Sequence, residues 1–140
     1  MTKKYRVFVP GAWDLFHIGH VRLLKRAKEF ADTLIVGIDS DVSIEKRKGR
    51  PPVVNLENRA SILDAISYVD KIHIGHENGV INPELLKELE IDILVLGSDW
   101  CGKPMPGLDE AKRFVMVLYF PYTEGISTTE IMKKVQEKHK

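Results

Sequence analysis

The chain has 140 residues, a formal net charge of +1, 44% hydrophobic residues and 29% charged residues. That balance suits one folded domain spanning 1–140 and excludes a disordered chain. It supplies no bulk electrostatic reason for binding nucleic acid or a membrane surface.

In chain order the hydrophobic pattern alternates between strand and helix. Strands are predicted over 5–10, 33–39, 71–75, 92–97 and 114–120. Several are nearly continuous apolar runs, such as Leu34-Ile35-Val36 and Ile93-Leu94-Val95-Leu96. That is the pattern of strands covered on both faces. Helices are predicted over 19–30, 57–68, 83–89, about 107–112 and 128–138. Leu23, Leu24, Ala27 and Phe30 share a face on the first, and Ile62, Leu63 and Ile66 on the second. Asn82 is a natural cap before Pro83. Ser127 with Glu130 makes a capping-box pattern before the last helix. The alternation predicts an α/β domain with a Rossmann-like, doubly wound, five-stranded parallel sheet. Ligands of such sheets sit beyond the carboxyl ends of the strands.

The most informative residues follow the first strand. His17-Ile18-Gly19-His20 opens a helix after a Gly-containing turn. The first N–H groups of a helix lack backbone partners and point at an anion. Two imidazoles add donors there, and Gly19 allows close approach of the backbone. The chain has no Cys pair and no His-Glu-x-x-His element, so a dedicated metal site is not expected. One cysteine, Cys101, excludes an internal disulfide framework. No segment reads as a membrane span or a signal peptide, which points to the cytoplasm.

Four cations fall within the five positions Lys46 to Arg50. Gly49 and Pro51-Pro52 predict a shaped loop there rather than a helix face. Leu96-Gly97-Ser98-Asp99-Trp100 follows the fourth strand. A carboxylate in that loop can accept from an amino group of a base, and an indole offers a stacking face. Asp14 can orient a catalytic group or assist a metal.

Gly11-Ala12-Trp13-Asp14-Leu15-Phe16-His17-Ile18-Gly19-His20 resembles the first signature of the nucleotidylyltransferase superfamily, Gly-Thr-Phe-Asp-x-x-His-x-Gly-His. Thr123-Glu124-Gly125-Ile126-Ser127-Thr128-Thr129 is similar to the Arg-Thr-Glu-Gly-Ile-Ser-Thr signature of cytidylyltransferases, and Leu96 to Trp100 to an element of the glycerol-3-phosphate group. The resemblance implies transfer of a cytidylyl group from CTP to a small phosphorylated alcohol, glycerol 3-phosphate first, with release of pyrophosphate. It implies catalytic roles for His17, His20, Lys46 and Lys48. It places the nucleotide against Gly11, Ala12, Trp13, Asp14, Gly19, Asp99, Trp100 and residues Thr123, Glu124, Gly125, Ile126, Ser127 and Thr128. Arg59 matches a family arginine that serves phosphate or a dimer contact. A homodimer is implied, supported softly by Ile66, Tyr68 and Val69. Mg²⁺ is expected from nucleotide chemistry, without an all-protein cage.

Three positions depart from the signatures: Tyr122 stands for Arg, Ser67 for Arg, and Ala12 for Thr. Two lost cations and one lost hydroxyl change the anion-binding inventory. Adenylyl transfer from ATP is the enzymatic alternative, since FAD synthetases and heptose-phosphate adenylyltransferases carry the same first signature and a similar basic loop. A nucleotide-binding regulator without activity is the alternative from another class.

Overall fold

Strand β1, Tyr5–Gly11, runs through the centre of the sheet because both of its faces are covered. The computed structural model describes residues 5–121 and 125–138. Its other elements are α1 (Ile18–Phe30), β2 (Ala31–Asp39), α2 (Asp41–Lys48), α3 (Leu56–Asp64), β3 (Lys71–His76), α4 (Pro83–Glu88), β4 (Ile93–Gly97), α5 (Leu108–Ala111), β5 (Met116–Phe120) and α6 (Thr128–Lys138). A short 3₁₀ turn, Ser98–Trp100, follows β4. The strands lie in the order β3-β2-β1-β4-β5, and every pair is parallel. This is the doubly wound arrangement expected from the sequence, with its switch point between β1 and β4.

Alternate residues of each strand feed two cores. Val7 and Val9 of β1 join Leu34, Val36, Ile93 and Val95 beneath Leu24 and Ala27 of α1 and Leu63 of α3. Phe8 faces the other way with Ile35, Leu94 and Leu96, against Leu86 of α4 and Leu108 and Ala111 of α5. Gly37 makes room for Phe8: a Cβ on that glycine would stand 2.6 Å from the ring. Ile66, Tyr68 and Val69, the residues expected near a dimer contact, are partly buried against the first core.

Three boundaries and one element differ most from expectation. β2 begins at Ala31, which also closes α1 by donating its N–H to the Lys28 carbonyl, so no loop separates helix from strand. α3 ends at Asp64 rather than near residue 68. The N–H groups of Ala65 and Ile66 turn back to Ile62 and Leu63, three residues away, which tightens and stops the helix. β5 starts at Met116, because Phe114 and Val115 still donate to Ala111 after α5. The largest correction is α2. The basic segment is the last turn of a helix, not a shaped loop. Ser40 caps it by accepting from the Ser43 N–H at 3.1 Å, and Asp41 occupies the first turn. Gly49, at φ 77°, closes it in the left-handed conformation that ends many helices. Lys46, Arg47 and Lys48 complement the carbonyl end of its dipole.

Candidate active site

The turn between β1 and α1 is bound to its surroundings by its own side chains. The Trp13 indole is buried and donates Nε1–H to the Gly37 carbonyl at 2.9 Å. Both Asp14 oxygens accept backbone N–H groups, from Val53 and Val54, each at 2.8 Å. The Ala12 carbonyl accepts from Arg59, and the Asp14 carbonyl accepts from the Thr128 hydroxyl. Trp13 and Leu15 both have positive φ, 57° and 48°. Bulky residues rarely hold that conformation, and strain of this kind concentrates at functional sites. The side chains of Trp13 and Asp14, read from the sequence as nucleotide contacts, are therefore used internally. The turn offers a ligand its backbone. Each Asp14 oxygen accepts one backbone N–H, so the carboxylate is held in place by the 53–54 segment. Among the described residues no group of three or more His, Cys, Asp or Glu is placed to hold a metal ion.

His17 and His20 sit together at the start of α1. His17 caps the helix, its Nδ1 accepting from the Gly19 N–H at 3.1 Å. His20 Nδ1 accepts from the His17 N–H at 3.2 Å, completing a reciprocal capping box. The rings stack with centroids 3.8 Å apart, and Trp13 and Phe16 flank His20. A ring that accepts through Nδ1 carries its neutral-state proton on Nε2. Burial, then His17 and Lys48, pushes His20 down to about 3. Burial also lowers His17. The pair is thus neutral at physiological pH, with two Nε2–H donors of fixed tautomer at a helix N-terminus.

Gly19 explains itself in this geometry: a Cβ there would lie 2.9 Å from the His17 ring. It would also lie 3.5 Å from Ile126 Cγ2, so the segment before α6 reaches the start of α1. The Thr128 hydroxyl donates to the Asp14 carbonyl at 2.7 Å across 114 residues of chain. The two sequence motifs meet. Ser127 caps α6 by accepting from the Glu130 N–H at 3.0 Å. Gly125 has φ 75°. Thr123 and Glu124, with Tyr122, lie outside the described residues.

The helical form of the basic segment separates its two lysines. Positions two apart on a helix point about 200° away from each other. Lys48 is close enough to His20 and Asp39 to act on both electrostatically. Lys46 lines an outer groove of about 670 Å³ with Ser43, Arg47, Glu77 and Asn78. The structure does not bring Lys46 to the histidines. Arg47 lies over the Trp100 ring at 4.1 Å, which occupies the indole face expected for a base. Asp99 is exposed on the 3₁₀ turn. Arg59 is 1% exposed. It donates to the Val54 carbonyl at 2.9 Å, the Ala12 carbonyl at 2.6 Å and Asp41 Oδ1 at 2.5 Å. It is a structural tie here, not an available phosphate ligand.

Sequence reading missed Asp39, His76 and Asn78. Asp39 ends β2 and His76 ends β3, both buried at the ligand edge of the sheet. The sequence carried one partial signal, a carboxylate at the last position of the apolar strand β2. With Gly11, Gly97 and Trp100 they line a cleft of about 40 Å³ at the switch point. Burial pushes Asp39 up to about 6, against the pull of Asn78, Arg59, Lys48 and Arg47. Burial, then His73, pushes His76 down to about 4.

These shifts set the response to acid. Three histidines with lowered folded values, His17, His20 and His76, bind fewer protons than the unfolded chain, so each removes stability as pH falls below about 6.5. Asp39 has a raised folded value, so it returns stability as pH falls from about 6 toward its unfolded value. At least one histidine's worth remains between pH 6 and 4, a loss of at least about 1.4 kcal/mol per pH unit. Urea midpoints should fall steadily over that range. A flat or rising midpoint would contradict the buried, neutral state of His20 and His76.

Known proteins resemble this chain in sequence and in fold. The cytidylyltransferase-like family model covers residues 8–134. A FAD synthase of Pyrococcus abyssi is 40% identical, with 97% of this chain and 95% of that protein aligned. The bifunctional protein HldE of Campylobacter concisus is 37% identical over 96% of this chain, which spans only 28% of that longer protein. Among solved structures, a lipopolysaccharide core biosynthesis protein of Thermoplasma volcanium superposes with a TM-score of 0.66 at 24% identity, covering 86% of this chain and 98% of its own. A pantothenate synthetase of Thermus thermophilus gives 0.62 at 16% identity, covering 96% and 64%. At those identities the structures speak for the fold alone. Sequence motifs, parallel sheet and family model agree over nearly the whole length, and the chain belongs to the cytidylyltransferase-like family as a nucleotidyltransferase of that superfamily.

Proposed function

We propose that this chain moves an adenylyl group from ATP to a phosphomonoester, with FMN as the first acceptor to test. The observation that carries the chemistry is the stacked pair His17 and His20. Their Nδ1 atoms are engaged by backbone N–H groups, which leaves two Nε2–H donors at a helix N-terminus, with His20 within electrostatic reach of Lys48. An acceptor phosphate oxygen attacks the α-phosphorus in line. The new O–P bond forms as the bond to the bridging oxygen breaks, and its electron pair leaves with pyrophosphate. The acceptor is already anionic, so no protein nucleophile or base is needed. The histidines stabilise charge on the transferring and bridging oxygens, and Lys48 reduces repulsion between two polyanions. Mg²⁺ is the cation expected with the triphosphate, held by substrate oxygens rather than a protein cage. The whole chain acts as one catalytic domain.

ATP is preferred over CTP on two grounds. Full-length relatives are named FAD synthase, and FAD is FMN joined to an adenylyl group. Asp99, the sequence-level argument for cytosine, is exposed and gives little discrimination in water. The glycerol-3-phosphate and CTP reading thus rests on sequence resemblance, at Leu96 to Trp100 and near residue 125, without a buried base-reading carboxylate. Among the described residues no helix is long and apolar enough to cross a membrane. A homodimer remains part of the proposal.

The deciding measurement is pyrophosphate release from ATP and CTP against FMN, glycerol 3-phosphate and a panel of sugar phosphates. The expected result is release with ATP and FMN. Faster release with CTP and glycerol 3-phosphate would reinstate cytidylyl transfer. No release with any pair would make the protein a nucleotide-binding regulator.

A further inference from the structure

At the end of β2 the Asn78 side-chain N–H donates to Asp39 Oδ2. The other oxygen of each group, Asp39 Oδ1 and Asn78 Oδ1, is buried with no partner among the described residues. Asp39 is 1% exposed. Both residues line the cleft at the switch point, beside Gly11 of β1 and Gly97 of β4. At about 40 Å³ the cleft takes one small polar group, since a single water needs at least about 10–15 Å³. Asn78 also lines the outer groove of about 670 Å³. The pair therefore stands between the switch point and a space large enough for a bulky group.

Two adjoining acceptors without donors are an energetic liability unless something donates to them. The charges nearby decide what kind of donor. An anion is repelled by Asp39. A cationic donor is disfavoured because Arg59, Lys48 and Arg47 already act on that carboxylate. A neutral hydroxyl satisfies both conditions. A bare alkyl chain would leave both oxygens unpaired and desolvated.

We propose that Asp39 and Asn78 form a hydroxyl-reading pair that selects, as acceptor, a phosphate ester carried on a polyol chain. The proposal rests on the acceptor being a phosphomonoester, as argued above. The phosphate goes to the histidines and Lys48, the polyol crosses Asp39 and Asn78, and any bulky distal group lies in the outer groove beside Lys46, Arg47 and Glu77. This assigns the missed residues a part in specificity and gives Lys46 a place away from the reacting phosphorus.

The test uses two ligand pairs that differ only in chain hydroxyls: FMN against a flavin bearing a 5-phosphopentyl chain, and ribitol 5-phosphate against pentyl phosphate. Binding is read without nucleotide, by flavin fluorescence for the first pair and calorimetry for the second. Wild type should bind the hydroxylated member of each recognised pair at least about tenfold more tightly, the range expected when buried polar groups lose their partners. In Asp39→Ala and Asn78→Ala the ratio should shrink to about threefold or less. Asn78 is only half-buried, so its variant keeps the test decisive if Asp39→Ala fails to fold. Equal binding of both members by wild type means a bridging water only and overturns the proposal. So does failure of every hydroxylated ligand to bind, or an unchanged ratio in folded Asn78→Ala. Hydroxyl selectivity in binding without pyrophosphate release from ATP or CTP would sink the transfer reading and leave the pair's role standing.

Discussion

His17→Ala and His20→Ala each lower turnover by about 10²–10⁴-fold, the usual loss when one positioned transition-state donor is removed. Both side chains also stabilise the start of α1, so the catalytic and structural effects must be separated. Loss of the cap costs about 1 kcal/mol, a shift of a few degrees in Tm. His17→Asn divides the two roles. Asparagine is a strong cap and can accept from the Gly19 N–H as His17 Nδ1 does. It has no group at the Nε2 position. Thermal melts of His17→Asn should return close to wild type while turnover stays near the alanine value. Recovery of turnover together with stability would mean that His17 acts only as a helix cap.

The fold was legible because its determinants are local and repetitive. Apolar runs such as Leu34-Ile35-Val36 could only be strands covered on both faces, and their alternation with helices left one economical topology. His17 and His20 were legible because a strand, a glycine turn and a helix start are all encoded within ten neighbouring residues. α2 was not, although Ser40, Ser43 and Gly49 supply its cap and stop. The density of charge and the two prolines outweighed them, and the helix has a single buried residue, Ile44, to betray it. The roles of Trp13, Asp14 and Arg59 were beyond reach for a different reason. Each depends on partners far along the chain: Gly37 for Trp13, Val53 and Val54 for Asp14, Ala12 and Asp41 for Arg59. A polar residue in a motif looks identical in sequence whether it faces a ligand or a carbonyl. Asp39 and Asn78 were missed because their meaning arises only when β2 and β3 lie side by side.

Arg59→Ala tests that last distinction at its sharpest. The guanidinium is fully buried and holds three segments at once: the β1–α1 turn through Ala12, the first turn of α2 through Asp41, and the 53–54 segment through Val54. Asp14 grips the same segment from the opposite side. Removing the arginine leaves two part-buried carbonyls without donors, opens a cavity and releases Asp41, which is 42% exposed and rehydrates. Breaking one side of a buried ion pair typically costs about 3–5 kcal/mol, and partial rehydration of Asp41 places this case toward the lower figure. Tm should fall by about 10 °C or more. Arg59→Lys should recover little, because a single ammonium cannot reproduce a planar fork aimed at three acceptors. A phosphate ligand would behave in the opposite way. Lysine would serve it as a point charge, Tm would hold, and KM for the nucleotide would rise. Calorimetric melts and nucleotide KM values of Arg59→Ala and Arg59→Lys therefore separate the two roles. Stability within about 1 kcal/mol of wild type, combined with a raised KM, would return Arg59 to the phosphate site. A large loss of Tm in both variants, with KM unchanged in the folded fraction, identifies it as the tie that holds the histidine-bearing turn in place.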